Sequence, residues 1–241
     1  MGGIGQDMAT NTVFHEFADS AILVENFSSQ VASLLSSAIK KKNKATLVVS
    51  GGSTPVPFFA ALARKDIDWA RVTITLADER WVPAADQASN ERLVRNHLLR
   101  HRAESAGFVG LYTGTTNAED GEKECESRIL AMNPPFDVLV LGMGNDGHTA
   151  SLFPQAENLK KATDMKSGRL CMAMIPPAAP HERMTLTLPA LLKANNIFLH
   201  ITGQEKRKVF DKALAAGPEE EMPVRFILSR TAVPVQIYWA P

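Results

Sequence analysis

The chain has 241 residues, is 45% apolar, and balances 26 Lys plus Arg against 26 Asp plus Glu. That length suits one α/β domain or two small ones, and the zero formal charge gives no electrostatic footprint of a nucleic-acid binder. No apolar run approaches the roughly 18 residues of a membrane helix, the N-terminal MGGIGQDMATN lacks the pattern of a signal peptide, and Cys125 and Cys171 show no CxxC spacing, so unbridged thiols in a reducing, cytoplasmic setting are expected.

Residues 1–12 show no pattern and are expected to form a flexible extension ahead of a single domain spanning 13–241. Residues 18–42 carry apolar positions at helical spacing and end in lysines, which suit a helix C-terminus. ATLVVSGG (45–52) reads as a short strand that stops at two glycines. In the following SGGSTP, Gly51 and Gly52 let backbone N–H groups approach an anion, and Ser53 and Thr54 add hydroxyls. Pro55 starts a helix whose N-terminus favours negative charge. This is a phosphate seat, or else a tight turn with a Ser/Thr cap. It is not a nucleoside-triphosphate loop, because no GK[ST] follows.

RVTITLADER (71–80) predicts the next strand, and the two-residue period puts Asp78 and Arg80 on one face. Arg80 could hold a phosphate or polarise a carbonyl oxygen; the plainer reading is a surface ion pair at a strand end. SNERLVRNHLLRH (89–101) predicts a helix opened by a Ser/Asn cap. His97 and His101 stand one turn apart on it, but no third ligand accompanies them and HExxH is absent. They read as a solvated face, and no metal is expected. Residues 117–132 predict a further helix.

FDVLVLGMG (136–144) is a continuous apolar run, as a strand covered on both faces should be. It leads into GMGNDGH, which matches GxGxxG. A dinucleotide turn would launch a helix from the third glycine, but here HTASLFP follows and Pro154 stops any helix. What the loop offers instead is Asp146 two residues before His148. A carboxylate there fixes the imidazole's tautomer and raises its basicity, giving a water-activating base near neutral pH. The alternative is a structural histidine capping a loop.

Residues 169–177, 183–189, 196–203 and 234–240 read as strands, and 203–217 as a helix ending at a glycine. Arg183 starts its strand with Thr185 and Thr187 on the same face. Lys206 sits in the first helical turn against the dipole, a hint of a bound anion. Cys125, Cys171, Met172, Met174 and Met184 read as packing residues. Strand–helix alternation implies a Rossmann-like, mostly parallel α/β sheet with helices on both faces. Ligands then belong outside the carboxyl ends of the strands, where the polar and glycine-rich segments fall.

SGGSTP, ADERWVPAADQASN, LGMGNDGHTASLFP, PHERMTLTLPALL and TGQEK occur in this order. Together they resemble the 6-phosphogluconolactonase family from about Phe14 to the end. The resemblance implies hydrolysis of 6-phospho-D-glucono-1,5-lactone to 6-phospho-D-gluconate on the scaffold of the phosphosugar isomerases and deaminases, with no nucleotide cofactor and no obligatory metal. It makes Gly51, Gly52, Ser53, Thr54, Arg183 and Lys206 sugar-phosphate anchors. His148 becomes the base, Asp146 its partner and Arg80 a substrate-binding cation, with Asp78 and Asn90 as further substrate contacts. The expected partner is the small sugar-phosphate lactone, with neither nucleic acid nor membrane, and the chain acting as a monomer. Two rivals differ at defined places. An amino-sugar phosphate deaminase of the same scaffold carries a glutamate after the histidine, where this chain has TASLFP. A sugar-phosphate sensor would lack the base and carry a DNA-binding module.

Overall fold

A computed structural model describes residues 11–177 and 180–241. In chain order the elements are β1 (Thr12–Glu16), α1 (Ser20–Lys42), β2 (Ala45–Val49), α2 (Val56–Leu62), β3 (Val72–Leu76), β4 (Asp78–Arg80), α3 (Asn90–His97), β5 (Gly107–Val109) and α4 (Ala118–Ala131). They continue with β6 (Val138–Leu141), α5 (Leu159–Ala162), β7 (Cys171–Met174), β8 (Arg183–Leu186), α6 (Leu188–Leu192), β9 (Ile197–Thr202), α7 (Gln204–Leu214), α8 (Val224–Arg230) and β10 (Val235–Ala240).

Seven strands form a parallel sheet in the order β1-β10-β9-β6-β2-β3-β5. Every residue of β2 and β6 is buried, which is what the uninterrupted apolar runs require when both sheet faces are covered. α1 supplies cover on one face: its Asp19 accepts the N–H of Ile22 at 2.8 Å, Asn43 closes it in the left-handed region, and Leu23, Phe27, Val31 and Leu35 point inward. Phe27 stacks on Phe58 of α2 and meets Phe198, His200 and Tyr238 on the sheet.

From β2 the chain builds outward through β3 to β5, then returns to the other side of β2 and builds the opposite way through β6, β9 and β10. The order therefore reverses between β2 and β6. At such a switch point two successive loops diverge and leave a crevice beyond the strand ends. Here those loops are 50–55 and 142–148. The two strands are also joined at their beginnings. Asp137 Oδ2 accepts the N–H of Thr46 at 2.8 Å and its hydroxyl at 3.1 Å, and Lys42 Nζ pairs with Asp137 Oδ1 at 2.8 Å.

Several sequence expectations need correction. The strand expected over 71–80 is two strands. Ala77 donates its N–H to Val49 in the main sheet, while its carbonyl accepts from Leu186, so the chain pivots there into a second, antiparallel sheet of order β4-β8-β7. The extension expected over 1–12 overlaps β1, which opens at Thr12; residues 1–10 lie outside the described residues. β1 and β5 are edge strands without a strong apolar run. α3 ends at His97, and His101 begins a separate 3₁₀ turn with φ 53°, so the expected i, i+4 histidine pair does not share a helix. Cys125 and Cys171 are both buried and unbridged, with their sulfurs 3.1 Å apart. Among the described residues no helix is long and apolar enough to cross a membrane.

Asp137→Ala should cost about 2–3 kcal/mol, because it strands the Thr46 donors in a buried setting. Urea unfolding followed by circular dichroism reads this as a lower midpoint with an unchanged slope.

Candidate active site

A cavity of about 280 Å³ opens at the switch point. It is lined by Gly51, Gly52, Ser53 and Thr54 after β2, Asp78 and Arg80 on β4, Asn90 at the start of α3, His148 after β6 and Lys206 in the first turn of α7. Four loops distant in sequence thus converge, as the sheet topology requires.

His148 is held on three sides. Asp146 Oδ1 stands 2.6 Å from its Nδ1 and also accepts its backbone N–H at 3.1 Å. Phe153 packs on the ring with centroids 4.4 Å apart. Gly144 lies beneath: a Cβ there would come within 2.1 Å of Nδ1. The carboxylate selects the tautomer with a proton on Nδ1, which leaves the Nε2 lone pair for chemistry. Partial burial works to raise the Asp146 pKa, but the hydrogen bonds and charge of His148 outweigh it and hold this carboxyl below its ordinary value.

Gly51 has a comparable neighbour. A Cβ there would collide with Asn90 Oδ1 at 1.9 Å. Asn90 is fixed from its other end, donating Nδ2 to the Asp78 carbonyl at 2.8 Å. The buried Asp78 carboxylate accepts the Ser151 hydroxyl at 2.6 Å. On β4, Arg80 is directly opposite Arg183 of β8. Arg183 is buried; burial first, and the charge of Arg80 second, pull its guanidinium below the ordinary value. Burial likewise lowers the Lys206 ammonium, against the pull of the Asp146 charge. Three cations in partly dehydrated positions around one crevice are the electrostatics of an anion site.

The family model for glucosamine-6-phosphate isomerases/6-phosphogluconolactonase matches residues 18–239. The chain belongs to this family. A 6-phosphogluconolactonase of Rhizobium meliloti is 44% identical over 94% of this chain and 98% of its own length. One of Pseudomonas putida is 43% identical over 94% of this chain and 92% of its own length. The crystal structure of a 6-phosphogluconolactonase from Shewanella baltica superposes with a TM-score of 0.93 at 45% identity, covering 95% of this chain and 98% of that one. The Rossmann-like α/β reading of the sequence matches the fold of this family.

Of the eleven residues expected at the site, nine line the cavity. Asp146 is hydrogen-bonded to His148, and Arg183 is the cross-strand partner of Arg80. Among the described residues Arg80 closes no ion pair; its Nη1 donates to the Ala88 carbonyl. Thr185 shares a face of β8 with Arg183, opposite Asp78 on β4, whereas Thr187 lies beyond the strand end and caps α6. Among the described residues no cluster of three or more His, Cys, Asp or Glu side chains is placed to hold a metal ion.

Sequence reasoning gave no role to Ser151, Ser50 or His200, although the last two line the cavity. A histidine inside the apolar run NIFLHITG was the available signal. Asp78 faces the cavity, whereas Glu79 is fully buried and organises the wall. Its oxygens accept the N–H groups of Arg80, Asn90 and Glu91 and the Ser89 hydroxyl, at 2.7 to 3.0 Å. Burial pushes this carboxyl up to about 7, opposed by those four donors.

Two expectations follow. Gly144→Ala should displace the imidazole and lower kcat by about 10²-fold or more while the far-ultraviolet dichroism stays unchanged. The Glu79 pKa gives a stability slope. The unfolded chain releases this proton near 4.5 and the folded chain near 7. Between those values the folded state holds more protons, so Glu79 subtracts stability as pH rises through that window. Glu79→Gln should flatten this part of the profile of urea midpoint against pH.

Proposed function

We infer that this chain hydrolyses 6-phospho-D-glucono-1,5-lactone to 6-phospho-D-gluconate, with His148 as the general base. The observation that carries the reading is the Asp146–His148 pair at 2.6 Å, set at the rim of a crevice that also holds Lys206, Arg80 and the Gly51–Thr54 loop.

The chemistry fits what these groups offer. A lactone is an activated ester, so its opening needs a placed water, a base and support for an oxyanion. Nε2 of His148 takes a proton from water as the oxygen attacks C1. The carbonyl oxygen becomes an oxyanion, supported by Arg80 or by backbone N–H groups. The C1–ring-oxygen bond then breaks, and the departing ring oxygen takes the proton back from the imidazolium. Asp146 stabilises that imidazolium and keeps Nε2 pointed outward. The Gly51–Thr54 loop and Lys206 hold the phosphoryl group, and Arg183 adds positive potential behind Arg80. Anchoring the far end of the sugar fixes C1 relative to His148 and lowers the entropic part of the barrier.

Every group used belongs to one chain, so the reading needs only a monomer and takes no nucleic acid as partner. Buried, unbridged thiols fit a cytoplasmic setting. The deaminase alternative gains nothing from the loop after His148, where Thr149, Ala150, Ser151, Leu152 and Phe153 supply no carboxylate.

The test follows acid release from freshly generated lactone with a pH indicator. Wild type should far outpace spontaneous opening, and His148→Ala should lower kcat by about 10²–10⁴-fold. Near wild-type turnover by the variant would assign the base elsewhere, and ammonia release from glucosamine 6-phosphate would replace the reaction.

A further inference from the structure

Among the described residues, the buried side-chain nitrogen and oxygen atoms without a hydrogen-bond partner are Ser50 Oγ, Asn90 Oδ1, Arg183 Nη1 and both ring nitrogens of His200. Ser50, Asn90 and His200 line the crevice, and Arg183 is the cross-strand partner of Arg80, which lines it. Buried polar groups are nearly always paired, so three such residues lining one cavity mark hydrogen bonds reserved for what binds there. His200 is the unexpected member, because no step described above uses it.

His200 lies near the end of β9 with 3% of its surface exposed. Its ring packs edge-on to Phe27, at 5.2 Å between centroids, and to Phe58, at 6.0 Å. A phenylalanine would suit those neighbours better than an imidazole with two unmade hydrogen bonds. His200 borders two spaces. One is the crevice, which the Gly51–Thr54 loop and Lys206 also line. The other is a cavity of about 240 Å³ that Ser20, Ser53, Thr54 and Thr202 also border, so Ser53, Thr54 and His200 stand at both.

We propose that His200 is a substrate-binding residue of the crevice, donating a ring N–H to an oxygen of the phosphoryl group held by the Gly51–Thr54 loop and Lys206. This rests on the sugar-phosphate reading above and adds to it a neutral donor that reaches the phosphoryl group from the floor of the site. Burial holds the imidazole pKa down at about 4, so at neutral pH the ring carries one donor and one acceptor, and Lys206 supplies the charge.

The experiment compares wild type with His200→Phe, which keeps the aromatic packing, and His200→Gln, which restores a donor and an acceptor should the first variant not fold. Lactone turnover gives KM and kcat, inorganic phosphate gives a competitive inhibition constant, and thermal melting reports folding. Expected for His200→Phe is a KM raised at least about tenfold, the loss of one hydrogen bond to a charged group. The phosphate inhibition constant rises in step, kcat stays within about twofold and the melting temperature does not fall; His200→Gln lies between Phe and wild type in KM. A residue that served only packing would change melting and leave KM alone. KM within about twofold of wild type in the folded variants overturns the proposal, and so does a raised KM with unchanged phosphate inhibition, since the contact is then to the sugar. Wild-type lactone turnover is measured in the same series, so a failed His200 effect beside normal turnover removes this proposal and leaves the lactonase reading standing.

Discussion

Two missing side chains make the site possible. Gly144 leaves the volume in which the imidazole of His148 and the carboxylate of Asp146 meet, and Gly51 leaves the volume that Asn90 enters. Any Cβ at either position would stand closer than two atoms can approach without bonding. The glycine-rich appearance of both loops therefore has a steric cause on the protein's own side, before any ligand is considered. Gly52, by contrast, has φ +97° and open space above it, which suits the approach of an anion to the backbone.

These two positions matter because of where the sheet puts them. The reversal of strand order between β2 and β6 brings Gly51 and Gly144 to neighbouring strand ends, and the Asp137–Thr46 link ties the same two strands at their starts. The remaining wall comes from the small antiparallel sheet, where β4 presents Asp78 and Arg80 and β8 backs them with Arg183. Glu79 locks β4 to the first turn of α3 with bonds at both oxygens, so Arg80 and Asn90 are placed by one buried carboxylate. Desolvated cations and unpartnered polar atoms on such a wall cost stability in the empty protein, and a phosphorylated ligand relieves that cost.

Much of this was legible in the residues, for identifiable reasons. The short β-branched run at 45–49 and the uninterrupted apolar run at 138–141 revealed β2 and β6, because full burial on both faces leaves no alternation to misread. Asp146 and His148 are two residues apart, so their pairing needed no tertiary knowledge. Ala77 was not legible: it is an ordinary apolar residue inside a continuous β-pattern, and only its split hydrogen bonding, to Val49 on one side and Leu186 on the other, reveals a change of sheet. β1 and β5 escaped because edge strands are half exposed and short. The shared face expected for Arg183, Thr185 and Thr187 holds for the first two and stops short of Thr187, because the strand ends at Leu186 and Thr187 turns to cap a helix. The positions of Arg183 and His200 relative to the crevice depend on strand pairings distant in sequence, Arg183 with Arg80 and β9 with β6 and β10, which local pattern does not encode.

The small antiparallel sheet has a consequence for how the molecule comes into being. β4 emerges early in the chain, but its strand partner among the described residues, β8, begins at Arg183. Lys206 and the sheet strands β9 and β10 come later still. A nascent chain that has already exposed the imidazole and the glycine loops still lacks the β8 wall with Arg183, the Lys206 cation and two of the seven strands of its main sheet. The crevice can close around a ligand only once synthesis has passed β8, β9 and Lys206.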